Sequence, residues 1–108
     1  MANKMSYIVI LVTAKDLAQG RKIARHLLEK KFIACANIVS GVESHFWWEG
    51  KIDQSSEVLL VMKTRKVLFS QIAKAVKKVH TYSVPEIIAV PLAAGEKRYL
   101  AWLNEETQ

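Results

Sequence analysis

The chain alternates between apolar runs typical of buried strands and apolar stripes typical of amphipathic helices. Residues 7–12, 57–62 and 86–92 are apolar at most positions, which predicts three strands with apolar side chains on both faces. Residues 15–31 have helical periodicity instead. Their apolar stripe consists of Leu17, Ile23, Ala24, Leu27 and Leu28. A second helical stripe follows at Val67, Leu68, Ile72, Ala75, Val76 and Val79.

Polar residues, prolines and glycines indicate where these elements begin and end. Asp16 or Thr13 is expected to cap the first helix, and Thr64 is expected to cap the second. Pro91 is expected at a sheet edge or a bulge, because proline has no backbone N–H for the ladder. A short C-terminal helix is predicted after Gly95.

An aromatic hairpin is predicted in the middle of the chain. Residues 32–42 and 44–48 have strand patterns, and residues 49–51 form a turn before the next strand. Trp47 and Trp48 lie at the end of this hairpin arm. Large aromatic side chains contribute most in a core or an interface, so we predict a subunit interface, with base stacking as the alternative.

The order β-α-β-β-α-β predicts an α+β fold, a ferredoxin-like βαββαβ sandwich with its helices on one face of the sheet. We expect one domain over residues 1–108, with an extended tryptophan-bearing hairpin and a C-terminal helix. The helices cover only one face of the sheet, whereas the strands are apolar on both. Because large apolar patches are seldom left in water, the uncovered face predicts an obligate homo-oligomer.

Composition and sequence patterns indicate the expected cellular location. The 108 residues carry a net charge of +6, and no apolar run approaches the roughly 18 residues of a membrane span. The N-terminal segment lacks a signal-peptide pattern, and the single cysteine, Cys35, is typical of a reducing compartment. We therefore expect a cytoplasmic protein without a membrane partner. Cys35 is expected in the core, with a soft-metal ligand or a redox thiol as alternatives.

The candidate ligand-binding side chains are concentrated in one loop. The chain contains no Walker loop, HExxH, GxSxG or CxxC motif, so it is predicted not to be an enzyme and to require no cofactor. His80, Tyr82 and Glu86 follow one another closely. The predicted topology brings this loop to the sheet end that holds the hairpin, where the three side chains are candidates to bind a cation or a polar ligand. Alternatively, His80 only contacts the last carbonyls of the second helix.

A basic segment is the other candidate surface. Residues 63–78 include Lys63, Arg65, Lys66, Lys74, Lys77 and Lys78 and no acidic residue. Such a surface is able to bind phosphates. A solvated helix face is the more common explanation of this pattern. Nucleic acid is therefore not the expected partner.

Six segments, in order, resemble the CutA divalent-cation tolerance family over nearly the whole chain. They are VILVTA, ACANIV, SHFWWEGKI, EVLLVMKT, HTYSVPE and YLAW. The resemblance implies a ferredoxin-like protomer, a tight homotrimer with PII-like organisation and cytoplasmic residence. It also implies a role in tolerance to divalent cations, with copper binding in some members.

The copper site that the resemblance implies is only partly present in this sequence. Copper-binding members have a first-strand cysteine and a His-His pair after the second helix, where this chain has Val12 and the pair Val79–His80. The usual tyrosine and proline positions hold Phe46 and Thr81. His80 alone is carried over as a metal ligand. We expect weak binding of Cu(II) or another divalent cation. A site with one imidazole and oxygen ligands follows the usual order of divalent-metal affinities, which favours Cu(II) without selecting it strongly.

Three functions remain open from the sequence. The first is a non-enzymatic homotrimer in the response to metal ions, with weak divalent-metal binding. The second is a PII-like trimer that binds a small-molecule or signal ligand in an intersubunit cleft lined by His80, Tyr82 and Glu86. The third is binding of nucleic acid or an acidic partner through residues 63–78.

Overall fold

The computed structural model of the chain describes residues 6–108. Within that range, four strands and three α-helices follow one another in the predicted order. They are β1 (Tyr7–Ala14), α1 (Leu17–Glu29), β2 (Cys35–Trp48), β3 (Lys51–Arg65), α2 (Phe69–Val79), β4 (Ile87–Pro91) and α3 (Lys97–Glu106). A 3-10 turn at Lys66–Leu68 precedes α2. None of the helices in the described part of the chain is long and apolar enough to cross a membrane.

The strands form one antiparallel sheet in the order β2-β3-β1-β4. β1 lies between β3 and β4, so that Ile10 is opposite Met62 on one side and Ala89 on the other. β4 is an edge strand that ends at Pro91. This confirms the predicted edge position, which proline tolerates because it has no backbone N–H to donate. This strand order and the two crossover helices confirm the predicted α+β, ferredoxin-like fold.

One face of the sheet packs against the helices and forms the core. The even-numbered residues of β1 are buried there, from Ile8 to Ala14. Ile23 and Leu27 of α1, together with Ile72 and Val76 of α2, complete this core. The predicted apolar stripes therefore identify the buried side of both helices.

A glycine lies where α1 packs against β3. A Cβ atom at Gly20 would lie 3.1 Å from Cγ2 of Val58, closer than an ordinary van der Waals contact. Gly20 is buried near the start of the helix. A larger residue at this position would therefore require Val58 to shift by a few tenths of an ångström.

The opposite face of the sheet has no helix over it, and we call it the open face. Alternation and register place seven apolar side chains on it: Val9, Leu11, Val39, Leu59, Val61, Ile88 and Val90. Each of them is half-buried or exposed in the single chain. The strands are thus apolar on both faces, as the sequence predicts.

The hairpin is longer and more continuous than the sequence pattern suggests. The two predicted segments at residues 32–42 and 44–48 merge into one strand, β2, which begins at Cys35 and not at residue 32. Its pairing is irregular between Val39 and Val42. Glu49 and Gly50 connect β2 to β3, both with positive φ (51° and 79°). Positive φ at both turn residues is the geometry that matches the twist of a hairpin.

Some predicted boundaries are wrong. Thr64 does not cap α2: it is a buried β3 residue whose Oγ1 donates to the carbonyl of Phe32, 2.5 Å away. The 3-10 turn begins α2 without a side-chain cap. Asp16, not Thr13, caps α1, because its carboxylate accepts from the Gln19 amide at 2.9 Å.

Three stripe residues and the cysteine are not in the core. Leu17, Leu28 and Val67 are exposed at the ends of their helical segments, where the sheet no longer covers them. Cys35 is half-buried and, by its register opposite Lys63, lies on the open face. The prediction of a core cysteine is therefore wrong, because Cys35 alternates with the core-facing Ala36.

Candidate functional site

The loop between α2 and β4 is held in place by a side chain of α1. Gln19 is buried, and its Oε1 accepts from the backbone N–H of Thr81 at 2.9 Å. Its Nε2 donates to the carbonyl of Val79 at 3.4 Å. One amide group thus satisfies a donor of the loop backbone and the carbonyl of the last α2 residue, which ties the start of the loop to α1.

Both ring nitrogens of His80 have backbone partners. Nδ1 accepts from the N–H of Tyr82 at 3.0 Å, so the other nitrogen carries the proton of a neutral ring. Nε2 lies 2.8 Å from the carbonyl oxygen of Thr13, to which that proton is donated. His80 therefore connects the loop to the end of β1 in this structure rather than contacting helix carbonyls through its ring.

Tyr82 joins the same loop to the sheet. Its phenol donates to Oε2 of Glu57 at 2.6 Å, and Glu57 is only 8% exposed. Desolvation by burial and the neighbouring Glu57 carboxylate raise the pKa of the Tyr82 phenol, because both disfavour the phenolate. The ring of Tyr82 also lies 4.7 Å from that of His80.

A cavity of about 680 Å³ opens beside this loop, and we call it the hairpin cavity. The hairpin contributes Ser44, His45, Phe46, Trp48, Asp53, Ser55 and Glu57. The end of β1 and the loop contribute Thr13, Tyr82, Ser83, Val84 and Glu86. The sheet end, the hairpin and the loop thus meet as the sequence predicts.

The register explains why these hairpin residues share one surface. Ser44 is opposite Ser55, and Phe46 is opposite Asp53. Directly opposed residues lie on the same face of an antiparallel pair. Most lining residues of both strands therefore share one face, whereas His45, opposite Gln54, lines the cavity from the reverse face.

The predicted site residues separate into two groups. Tyr82, Glu86 and Trp48 line the hairpin cavity, whereas His80 lies behind Tyr82 and is not part of the lining. Trp47 pairs with Ile52 on the reverse face of the hairpin. The side chains of Trp47 and Ile52 are 72% and 69% exposed in the single chain, whereas Trp48 lines the hairpin cavity. The two adjacent tryptophans therefore have different surroundings.

The described residues do not form a ready metal site. Within residues 6–108, no group of three His, Cys, Asp or Glu side chains is arranged to hold one ion. Cys35 begins β2 and lies in register with Lys63, whereas His80 contacts Thr13 at the other end of β1. The residues present thus do not fit a tight, preformed copper centre, because a thiolate and several donors would have to converge.

The basic segment does not form one surface. Lys63 lies on the open face, where its amine contacts the side chain of Asn37. Arg65 lies at the end of the same strand and donates to Oγ1 of Thr107 at 2.9 Å. Lys74 and Lys78 belong to α2, on the helix side of the sheet. The charges at residues 63–78 are therefore divided between the two layers.

Comparison with known proteins identifies the family. The model of the family described as CutA1 divalent ion tolerance protein matches residues 8–106. The chain belongs to this family. The predicted resemblance is thereby confirmed over nearly the whole chain.

Several CutA relatives are similar in sequence and in structure. The chloroplastic CutA 1 protein of Oryza sativa is 43% identical over 101 residues, which cover 94% of this chain and 57% of the relative. The divalent-cation tolerance protein CutA of Archaeoglobus fulgidus is 41% identical over 99 residues, covering 92% of this chain and 96% of the relative. The crystal structure of rice CutA1 superposes with a TM-score of 0.94 at 40% identity, covering 99% of this chain and 98% of that chain.

Length and location differ among the CutA relatives. The chain spans little more than half of the rice and Arabidopsis thaliana proteins, both of which are described as chloroplastic. The Archaeoglobus structure, with a TM-score of 0.92 at 40% identity and covering 94% of this chain and 99% of that chain, is described as periplasmic.

Two residues of the site were missed by sequence reasoning. Gln19 is a polar side chain four residues before Ile23 and eight before Leu27, so its position on the buried stripe was visible in the sequence. Glu57 begins the apolar part of β3, and a carboxylate there indicates a buried partner. Their partners, Thr81 and Tyr82, are distant in sequence and needed the tertiary structure.

Proposed function

We propose that the chain acts as a non-enzymatic, homotrimeric CutA protein in tolerance to divalent cations. The trimer is inferred from the apolar open face. The family description, a divalent ion tolerance protein, supports the cellular role. Cytoplasmic residence is part of the proposal and rests on the single cysteine.

The open face has the properties of a subunit interface. Ile88, Val90 and Val39 are 47–48% exposed in the single chain although they surround the centre of the sheet. A contiguous apolar patch of this kind marks a contact surface in soluble proteins. Trp47 and Ile52 form a separate exposed apolar pair on the reverse face of the hairpin, which is not part of the open face. The expected partner is a second copy of this chain, since homo-oligomers with closed symmetry are the common case.

Sedimentation at micromolar concentration tests the assembly. We expect a species of three chains, and Val61→Glu on the open face should convert it into smaller species. Val67→Glu is the matched control, because Val67 is exposed before α2 and away from the open face. A stable, folded monomer of the unchanged chain would contradict the trimer.

Metal binding is proposed to be weak and to involve His80. Each ring nitrogen of His80 already has a backbone partner, so a metal ion has to replace one of these hydrogen bonds. One imidazole with oxygen ligands favours Cu(II) without strong selectivity. The proposed affinity is therefore micromolar or poorer, and the proposed role requires no resident metal.

Calorimetric titration with Cu(II), and with Cu(I) under reducing conditions, tests this proposal. Cu(II) binding should be largely lost in His80→Ala and retained in His45→Ala, where His45 is exposed and paired with Glu43 on the hairpin. Nanomolar binding that survives His80→Ala would contradict the assignment. Loss of that binding in Cys35→Ser would then identify the thiol as the ligand.

A further inference from the structure

We propose that the hairpin cavity binds an organic cation, a protonated amine carried on a flat apolar body. The inference rests on residues that line the cavity in one protomer. It goes beyond the metal role and does not depend on metal binding by His80. Four observations support it: the charge of the lining, its aromatic wall, a buried carboxylate with an unused oxygen, and the size of the cavity.

The lining of the cavity is acidic although the chain is basic. The net charge of the chain is +6, yet the cavity has three carboxylates, from Asp53, Glu57 and Glu86. No Lys or Arg occurs among the described residues that line it. His45, the remaining ionisable nitrogen of the lining, is paired with Glu43 at 2.6 Å. A concave surface lined by charges of one sign attracts ligands of the opposite sign.

One wall of the cavity is aromatic. Phe46 and Trp48 alternate along β2 and therefore both face the lining of β3. They remain 38% and 47% exposed in the single chain. Aromatic faces attract cations and also stack on flat groups. This wall beside the carboxylates matches an amine attached to an apolar ring.

Glu57 provides a preformed polar anchor. It is 8% exposed and lines the cavity, and its one side-chain hydrogen bond within residues 6–108 joins Oε2 to the Tyr82 phenol. Oε1 accepts no hydrogen bond from the described residues. Oε1 is also not among the fully buried unpartnered atoms of the described residues, so it is open to the cavity. A ligand N–H in the cavity would satisfy Oε1.

Size and spacing favour an organic cation over a metal ion. A cavity of about 680 Å³ is within the range of small-molecule sites, which is roughly 300–1,000 Å³. The three carboxylates line that cavity without converging as a metal-binding group. A ligand with a separate charged group and apolar body reaches both the acidic and the aromatic walls. Hydroxyl groups of Ser44, Ser55 and Ser83 offer further hydrogen bonds.

Calorimetry with two matched indoles tests the proposed ligand class. Tryptamine carries an ammonium group and indole-3-propionate a carboxylate, on the same ring with a short chain. Tryptamine should bind about tenfold or more tightly than the anion, and its affinity should fall as salt is added. Putrescine, a cation without a ring, should bind more weakly than tryptamine. Equal binding of the two indoles, equal binding of putrescine, or no binding of tryptamine would overturn the proposal.

Variants locate the binding site. Glu57→Gln keeps an acceptor for Tyr82 but removes the charge, and it should weaken tryptamine binding by about tenfold. Asp53→Asn is a second charge variant on the exposed hairpin, and Trp48→Ala should weaken binding by removing the aromatic wall. Glu105→Gln removes one charge from α3, outside the cavity, and should leave binding unchanged. Unchanged affinity in both Asp53→Asn and Trp48→Ala would refute the site, while sedimentation of the same samples reports the assembly separately.

Discussion

The phenol of Tyr82 donates a hydrogen bond of 2.6 Å to the buried carboxylate of Glu57. This contact joins the loop after α2 to β3, from residues that are 25 positions apart in the sequence. It also places a neutral phenol beside a carboxylate, and burial together with that charge raises the pKa of Tyr82. The stability of the loop should therefore depend on the protonation of this phenol.

Alkaline pH should destabilise the chain through Tyr82. The folded-state pKa of Tyr82 lies above the ordinary tyrosine value of 10.0, so the stabilising contribution of the protonated phenol is complete below that pH. It should decrease as pH rises further, towards the folded-state pKa, because the unfolded chain then releases a proton that the folded chain keeps. Denaturant unfolding at about pH 9 and about pH 11 measures the change.

The Tyr82→Phe variant separates this contribution from other alkaline effects. Below about pH 10 the variant should lose about 1–3 kcal/mol of unfolding free energy, because the buried Glu57 carboxylate loses its donor. Its stability should also fall less steeply in alkali than that of the unchanged chain. Tyr99→Phe, on α3, should keep the full pH dependence. Parallel pH curves for Tyr82→Phe and the unchanged chain would contradict the role of this phenol.

Gln19→Ala should loosen the loop after α2. The substitution removes the acceptor of the Thr81 N–H and the donor to the Val79 carbonyl, at a cost of about 1–3 kcal/mol in unfolding free energy. Amide hydrogen exchange at Thr81 should become faster. Gln71→Ala is the control, because Gln71 is exposed on α2. Unchanged protection of the Thr81 amide would show that Gln19 does not hold the loop.

Thr64→Val tests the role of a residue that sequence reasoning assigned to a helix cap. Valine fills the same space but leaves the Phe32 carbonyl without the hydroxyl donor, so stability should fall by about 1 kcal/mol or more. The helical signal in far-ultraviolet circular dichroism should stay unchanged below the melting transition. Thr64→Ser, which keeps the hydroxyl, is the matched variant. A selective loss of helical signal in Thr64→Val would instead support the cap.

The two hairpin tryptophans should differ in their effects. If the hairpin contributes to the proposed trimer, Trp47→Ala should weaken association by about 2 kcal/mol or more per protomer, a value typical of buried aromatic anchors. Trp48→Ala should lower thermal stability in the same range and also weaken tryptamine binding, because Trp48 lines the hairpin cavity. Melting and sedimentation of both variants measure these effects. An unchanged melting curve for both would identify the tryptophans as a free surface instead.

The main features of the fold were visible in the sequence because they depend on periodicity. The two-sided apolar strands predict a covered core face and an apolar open face, and the helical stripes identify Ile23 and Ile72 as core residues. The meeting of the hairpin with the loop that holds Tyr82 and Glu86 follows from the order of the elements alone. These inferences need only local pattern and topology.

Register and long-range contacts were decided by the tertiary structure. Strand pairing places Trp47 and Trp48 on opposite faces of the hairpin, although sequence reasoning treated them as one pair. Thr64 reaches the Phe32 carbonyl instead of capping a helix, because the strand continues past it. The buried carboxylate of Glu57 finds its phenol only when the loop is folded over the sheet. Such contacts depend on where distant segments lie in space, which local residue preferences do not encode.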